Sequence, residues 1–97
     1  MKSEAKLQNK IIQTLKMQDR FVMKTQGGAP GTPIGTPDII TIDDQGRFLG
    51  LEIKRPDGHG TVSPEQKYNG NKIKDGGGRW YVIDSWEKFE EVLDGRI

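Results

Sequence analysis

Residues 36–40 and 50–54 read Thr36-Pro37-Asp38-Ile39-Ile40 and Gly50-Leu51-Glu52-Ile53-Lys54. The first run has an aspartate at its mouth, and the second has a glutamate and a lysine inside it. Alternation along a strand puts Glu52 and Lys54 on one face and turns Ile53 to the other, toward a core. Asp43-Asp44-Gln45-Gly46 lies between the runs with the composition of a turn, so Asp38–Ile42 and Arg47–Arg55 read as a hairpin. In its second strand Leu49, Leu51 and Ile53 share the apolar face, opposite Phe48, Gly50, Glu52 and Lys54.

Outward from the hairpin, the elements follow from periodicity and caps. A first helix is expected from about Ser3 to Gln18, with Ser3 as N-cap, Glu4 in the first turn and a stripe of Leu7, Ile11, Ile12 and Leu15. A short strand, Phe21–Thr25, leads into a Gly/Pro-rich loop from Gln26 to Pro37 that excludes helix and regular sheet. Ser63-Pro64-Glu65-Gln66 has capping-box spacing with Pro at the first helical position, and starts a second helix running to about Lys74. Gly70 and the shortage of apolar residues weaken that helix. Trp80–Ile83 reads as a fourth strand, and Ser85 caps a last helix with Trp86, Phe89, Val92 and Leu93 on one stripe. The order is α-β-β-β-α-β-α. Hairpin strands are antiparallel and a strand–helix–strand crossover is parallel, so an α/β fold with a mixed four-stranded sheet flanked by helices is expected.

The chain has 97 residues and fits one domain, 1–97. Cysteine is absent, which excludes a disulfide framework and any thiolate metal site. No stretch reads as a signal peptide or a membrane span, so an intracellular protein without a membrane partner is expected. The net charge is only +1, but residues 1–37 carry six Lys/Arg against two Asp/Glu and residues 76–97 carry three against five. Basic charge therefore gathers ahead of the acidic cluster, which is compatible with a phosphate-binding face and equally with a solvated helix.

Two carboxylates beside an amine form an oxygen-rich site for a hard divalent cation, with a positive group to hold a nucleophile or a phosphate. The plainer alternative is an exposed strand with Glu52 and Lys54 as a surface pair. For Gln66 that alternative is a capping role alone, and for Glu4 it is complementarity to the helix dipole. Trp80, Trp86 and Phe89 follow core periodicity, and His59, the one histidine, sits in a Gly-flanked loop.

The Pro37-Asp38 … Glu52-Ile53-Lys54 pattern in this element order resembles the PD-(D/E)XK nuclease superfamily. More narrowly, Gly35-Thr36-Pro37-Asp38, Gly50-Leu51-Glu52-Ile53-Lys54 and Ser63-Pro64-Glu65-Gln66 are similar to the VRR-NUC (virus-type replication-repair nuclease) family, over nearly the whole chain. The resemblance implies a restriction-endonuclease-like αβββαβ core with an extra C-terminal helix. It implies Asp38, Glu52 and the backbone carbonyl of Ile53 as ligands of Mg²⁺ or Mn²⁺, with Lys54, Gln66 and Glu4 as catalytic residues. Branched DNA is the implied substrate, four-way (Holliday) junctions first, with flap or nicking activity and a noncatalytic DNA-binding module as alternatives. Symmetric cutting of a four-way junction needs two sites related by a two-fold axis, hence a homodimer. Lys2, Lys6, Lys10, Lys24, Arg55 and the loop around Gly28 are the expected DNA contacts.

Overall fold

Ser3 starts the first helix as expected, its Oγ accepting the Lys6 N–H at 3.0 Å. In the computed structural model, which describes residues 3–25, 30–58 and 60–97, the elements are α1 (Glu4–Met17), β1 (Val22–Lys24), β2 (Ile39–Ile42), β3 (Phe48–Ile53), α2 (Pro64–Asp75), β4 (Arg79–Ile83) and α3 (Trp86–Leu93). This is the expected order, with β1, β2 and β3 trimmed by a residue or two at their ends and β4 starting one residue earlier. Ser63 and Gln66 close the capping box of α2, and the Ser85 hydroxyl caps α3 by accepting the Lys88 N–H at 3.1 Å.

The sheet runs β1-β2-β3-β4, antiparallel across the first two pairings and parallel between β3 and β4. Alternation divides it into two faces. Leu7, Ile11 and Leu15 of α1 and Phe89 and Val92 of α3 bury one face against Ile39, Leu49, Leu51, Ile53 and Ile83. Each such fully buried aliphatic contributes about 1.5–3 kcal/mol. On the other face Ile40, Gly50 and Trp80 lie side by side, and α2 packs over its β3 and β4 part.

The residue that weakens α2 as a helix is the one that seats it. Gly70 is buried against the Trp80 indole, and a Cβ there would fall among the ring atoms Cδ2, Cε2 and Cε3. Trp80 therefore packs, as expected, but in the α2 layer, whereas Phe89 belongs to the α1/α3 core and Trp86 lies at its margin. Gly70→Ala is expected to destabilise by about 1–3 kcal/mol through overpacking, outweighing the roughly 1 kcal/mol that Ala gains in a helix. At about 4–8 °C per kcal/mol for a domain of this size, a melting curve resolves it. An unchanged or raised Tm would contradict the contact.

Asp43, read from the sequence as a turn residue, is buried. Its Oδ1 accepts the N–H groups of Gln45 (2.9 Å) and Arg47 (2.8 Å), and its Oδ2 faces Arg47 Nε (2.8 Å) and Arg79 Nη1 (3.4 Å). Burial pushes its pKa up, but the two backbone donors and the Arg47 guanidinium outweigh that and hold it below 3.8. Arg79 Nη2 also donates to the carbonyls of Val92 (3.3 Å) and Ile97 (2.7 Å), tying the hairpin turn, β4 and the end of α3 together.

Candidate active site

The β2–β3 register pairs Ile39 with Leu51. One step further along the same antiparallel pairing, Asp38 stands opposite Glu52, and both side chains project to the α2 face. Two local features hold Asp38 there. The Pro37 ring rests on Gly50, where a Cβ would approach Pro37 Cγ to 2.9 Å. The Thr25 N–H donates to the Asp38 carbonyl at 2.9 Å, fastening the strand mouth to the end of β1.

Asp38 Oδ2 accepts the Ile53 N–H at 2.8 Å. In a strand, a residue's N–H and C=O face the same neighbour, so this bond also leaves the Ile53 carbonyl on the Asp38 side of β3. On the opposite edge, the Lys54 N–H donates to the Ile83 carbonyl at 2.9 Å and fixes the backbone from which its amine departs.

Glu52 is fully buried, which overturns the alternative of an exposed strand with a surface ion pair. Its Oε1 accepts Gln66 Nε2 at 2.8 Å, and its Oε2 is buried with no hydrogen-bond partner. Burial first, then the charge of Asp38 and carboxyl–carboxyl contact with it, push the Glu52 pKa from 4.5 up to about 8. The Lys54 ammonium opposes this, and the Glu4 carboxylate adds the smallest of these upward effects.

Gln66 serves as cap and as site residue at once. Its Oε1 accepts the Ser63 N–H (2.9 Å) and Lys54 Nζ (3.1 Å), while its Nε2 faces Glu52. That amide orientation is forced: reversed, it would set donors against donors and an oxygen against a carboxylate. One side chain thereby connects the start of α2, the Lys54 amine and the buried carboxylate.

Asp38, Glu52, Ile53, Lys54 and Gln66 are thus brought together, with Glu4 exposed at the start of α1 and close enough to be felt electrostatically. Among the described residues no three His, Cys, Asp or Glu side chains form a ready metal cage; the oxygen set is two carboxylates and one carbonyl. The other expected contacts that the structure describes are exposed. Lys6 and Lys10 are exposed on α1, with Lys10 Nζ 4.0 Å from the centroid of the Trp86 ring. Lys24 is exposed on β1 opposite Ile39, and Arg55 pairs with Asp57 at 2.5 Å. Lys2, Gly28 and His59 lie outside the described residues. The sequence reading missed the part played by Gly50 and Thr25. The one available signal was a glycine between aliphatic residues of a strand, which marks close approach of another chain segment.

A scan against protein-family models finds no match to this chain, and a search of curated proteins finds none either. No helix among the described residues is long and apolar enough to cross a membrane.

Proposed function

We propose that the protein is a Mg²⁺- or Mn²⁺-dependent DNA endonuclease that hydrolyses phosphodiesters at branched DNA, four-way junctions first. The observation that carries this reading is Glu52 Oε2, a carboxylate oxygen buried without a partner beside a second carboxylate. A buried charge of this kind is costly unless a cation or a proton compensates it. An all-oxygen donor set of Asp38, Glu52 and the Ile53 carbonyl fits a hard divalent ion, and the chain has no cysteine to supply a thiolate.

When bound, such an ion would supply Lewis acidity, making water a stronger nucleophile near neutral pH and offsetting charge on the phosphate. The chain's own residues do the rest. Asp38, held by the Ile53 N–H, keeps one carboxylate oxygen committed and presents the other. Gln66 holds Glu52 Oε1 and Lys54 Nζ at a fixed separation. The Lys54 ammonium is then available to orient the attacking water or to meet negative charge growing on the phosphate oxygens, a preorganised contact that needs no rearrangement during reaction. Selectivity is expected from branch shape and phosphate positions rather than from base edges.

The homodimer belongs to the same proposal. β1 is an edge strand, and Phe21 and Met23 are exposed along it, a surface that a second copy could cover. The test is incubation of the purified protein with labelled four-way junctions, flaps, linear duplex and single strands, with Mg²⁺, Mn²⁺ or chelator. Paired metal-dependent nicks near the junction centre, abolished by Asp38→Ala while binding survives, are expected. Flap cutting without junction cutting would replace the junction assignment and keep the nuclease. Cleavage of nothing would leave a DNA-binding module, and a monomer in sedimentation would remove symmetric cutting.

A further inference from the structure

Ile34 and Tyr68 are 76% and 61% exposed, and neither contributes to the core. With Pro64, Glu65 and Asn69 they line a shallow hollow of about 440 Å³ on the outside of α2. The hollow has fixed walls. Asn69 Nδ2 donates to the Ile34 carbonyl at 2.9 Å, and the Thr36 hydroxyl donates to the Pro33 carbonyl at 2.7 Å, so the loop is fastened to the helix.

Both walls are close in sequence to residues of the candidate active site. Ile34 lies four residues before Asp38, and Tyr68 two residues after Gln66. Two residues along a helix turn the side chain by about 200°, so Gln66 faces the sheet while Tyr68 faces outward. One turn further on, Lys72 Nζ lies 5.3 Å from the centroid of the Tyr68 ring, and on the opposite side Glu65 borders the hollow.

We infer that Ile34 and Tyr68 form a stacking shelf for one unpaired nucleobase of the DNA strand that leaves the site, with its phosphate toward Lys72. This rests on the nuclease reading and deepens it: among branched DNAs, those that leave a base unpaired next to the cut would use the shelf, and a fully paired four-way junction would not. An aromatic face accepts any base, because every base has a π-face, and a neighbouring ammonium suits the attached phosphate. A base inside a continuous duplex has both faces covered by its neighbours, so only an unpaired one offers a face to the shelf. The carboxylate of Glu65 on one side and the ammonium of Lys72 on the other give the nucleotide a direction. Two exposed apolar side chains with a charged rim are far short of the roughly 800 Å² per partner of a stable protein interface, which argues against a second copy here.

The test is DNA binding in chelator, where no cleavage occurs, read by anisotropy and by the fluorescence of 2-aminopurine at the unpaired position. Wild-type protein is expected to bind this DNA and quench the probe by stacking. Tyr68→Ala should weaken binding roughly tenfold and restore the fluorescence, as for the loss of one base–aromatic stack. Tyr68→Phe should bind as wild type, and affinity for fully paired duplex should be the same for all three proteins. Thermal melting of Tyr68→Ala should match wild type, since the ring is outside the core. Wild-type affinity in Tyr68→Ala, equal losses on paired and unpaired DNA, a changed sedimentation coefficient, or no binding of unpaired DNA by wild type would each overturn the shelf. Tyr68-dependent binding by a protein that cuts nothing would keep the shelf and end the nuclease reading. Intact cutting with a silent Tyr68→Ala would do the reverse.

Discussion

Lys54→Ala is expected to slow metal-dependent cleavage by about 10²-fold or more while DNA binding changes little, the loss typical of removing one preorganised charge-stabilising donor. The structure gives the reason that the fold should survive. Gln66 Oε1 keeps the Ser63 N–H when the amine is gone, and Gln66 Nε2 keeps Glu52, so the cap of α2 and the buried carboxylate retain their partners. Lys54→Arg should not restore the rate, because a planar guanidinium cannot replace a compact ammonium in contact with a single amide oxygen. Single-turnover cleavage at saturating Mg²⁺, with binding measured in chelator, separates the two effects. A wild-type rate in Lys54→Ala would remove this residue from the chemistry.

The second large effect is on stability, and it reverses the usual behaviour of a carboxylate. Glu52 has its pKa raised from 4.5 to about 8 by burial and by Asp38. Between those values the folded state holds a proton that the unfolded chain has released. The contribution of this group is therefore fully present below about 4.5 and is lost as the pH rises through about 8, on the order of several kcal/mol. Asp43 works the other way: its lowered pKa contributes stability above 3.8 that is lost as the pH falls. Chelator-treated protein should consequently show a falling Tm from about pH 5 to about pH 8. Glu52→Gln should flatten that slope and raise the Tm at the alkaline end. Mg²⁺ or Mn²⁺ should stabilise the wild type more at about pH 8 than at about pH 6, because protons compete with the metal for the same oxygens. A Tm independent of pH, and unmoved by either ion, would contradict both the raised pKa and the cation site.

The helix starts were legible because each depends on a local rule: Ser3, Ser63 and Ser85 all precede an apolar-periodic or Pro-led segment, and all three hydroxyls cap. The hairpin was legible from its turn composition and alternation, and Asp38, Glu52 and Lys54 could be singled out by residue type and spacing. From spacing alone Gln66 was legible as a cap, and only the family resemblance put it at the site, since its contacts with Lys54 and Glu52 are made between α2 and a distant part of the chain. Asp43 was read rightly as a turn residue, but its burial was not legible, for a similar reason. Its turn bonds are local, but its burial depends on Arg79, 36 residues away. Gly70 looked like a defect because helix propensity is a property of one segment, whereas the Trp80 ring that needs the space belongs to another.

By itself, the sequence determined the order of elements, the caps, the apolar faces and the residue types available for chemistry, all of which rest on interactions within a few residues. Tertiary structure alone decided that Asp38 meets Glu52 across a strand pairing, that Glu52 is buried with one oxygen unpartnered, and that Gln66 joins it to Lys54. Those features depend on register and on the close seating of α2 on Trp80 through Gly70, which packing between distant segments sets. The charge state of Glu52 follows from that packing as well: a glutamate is an ordinary acid until its neighbours exclude water and bring a second carboxylate beside it.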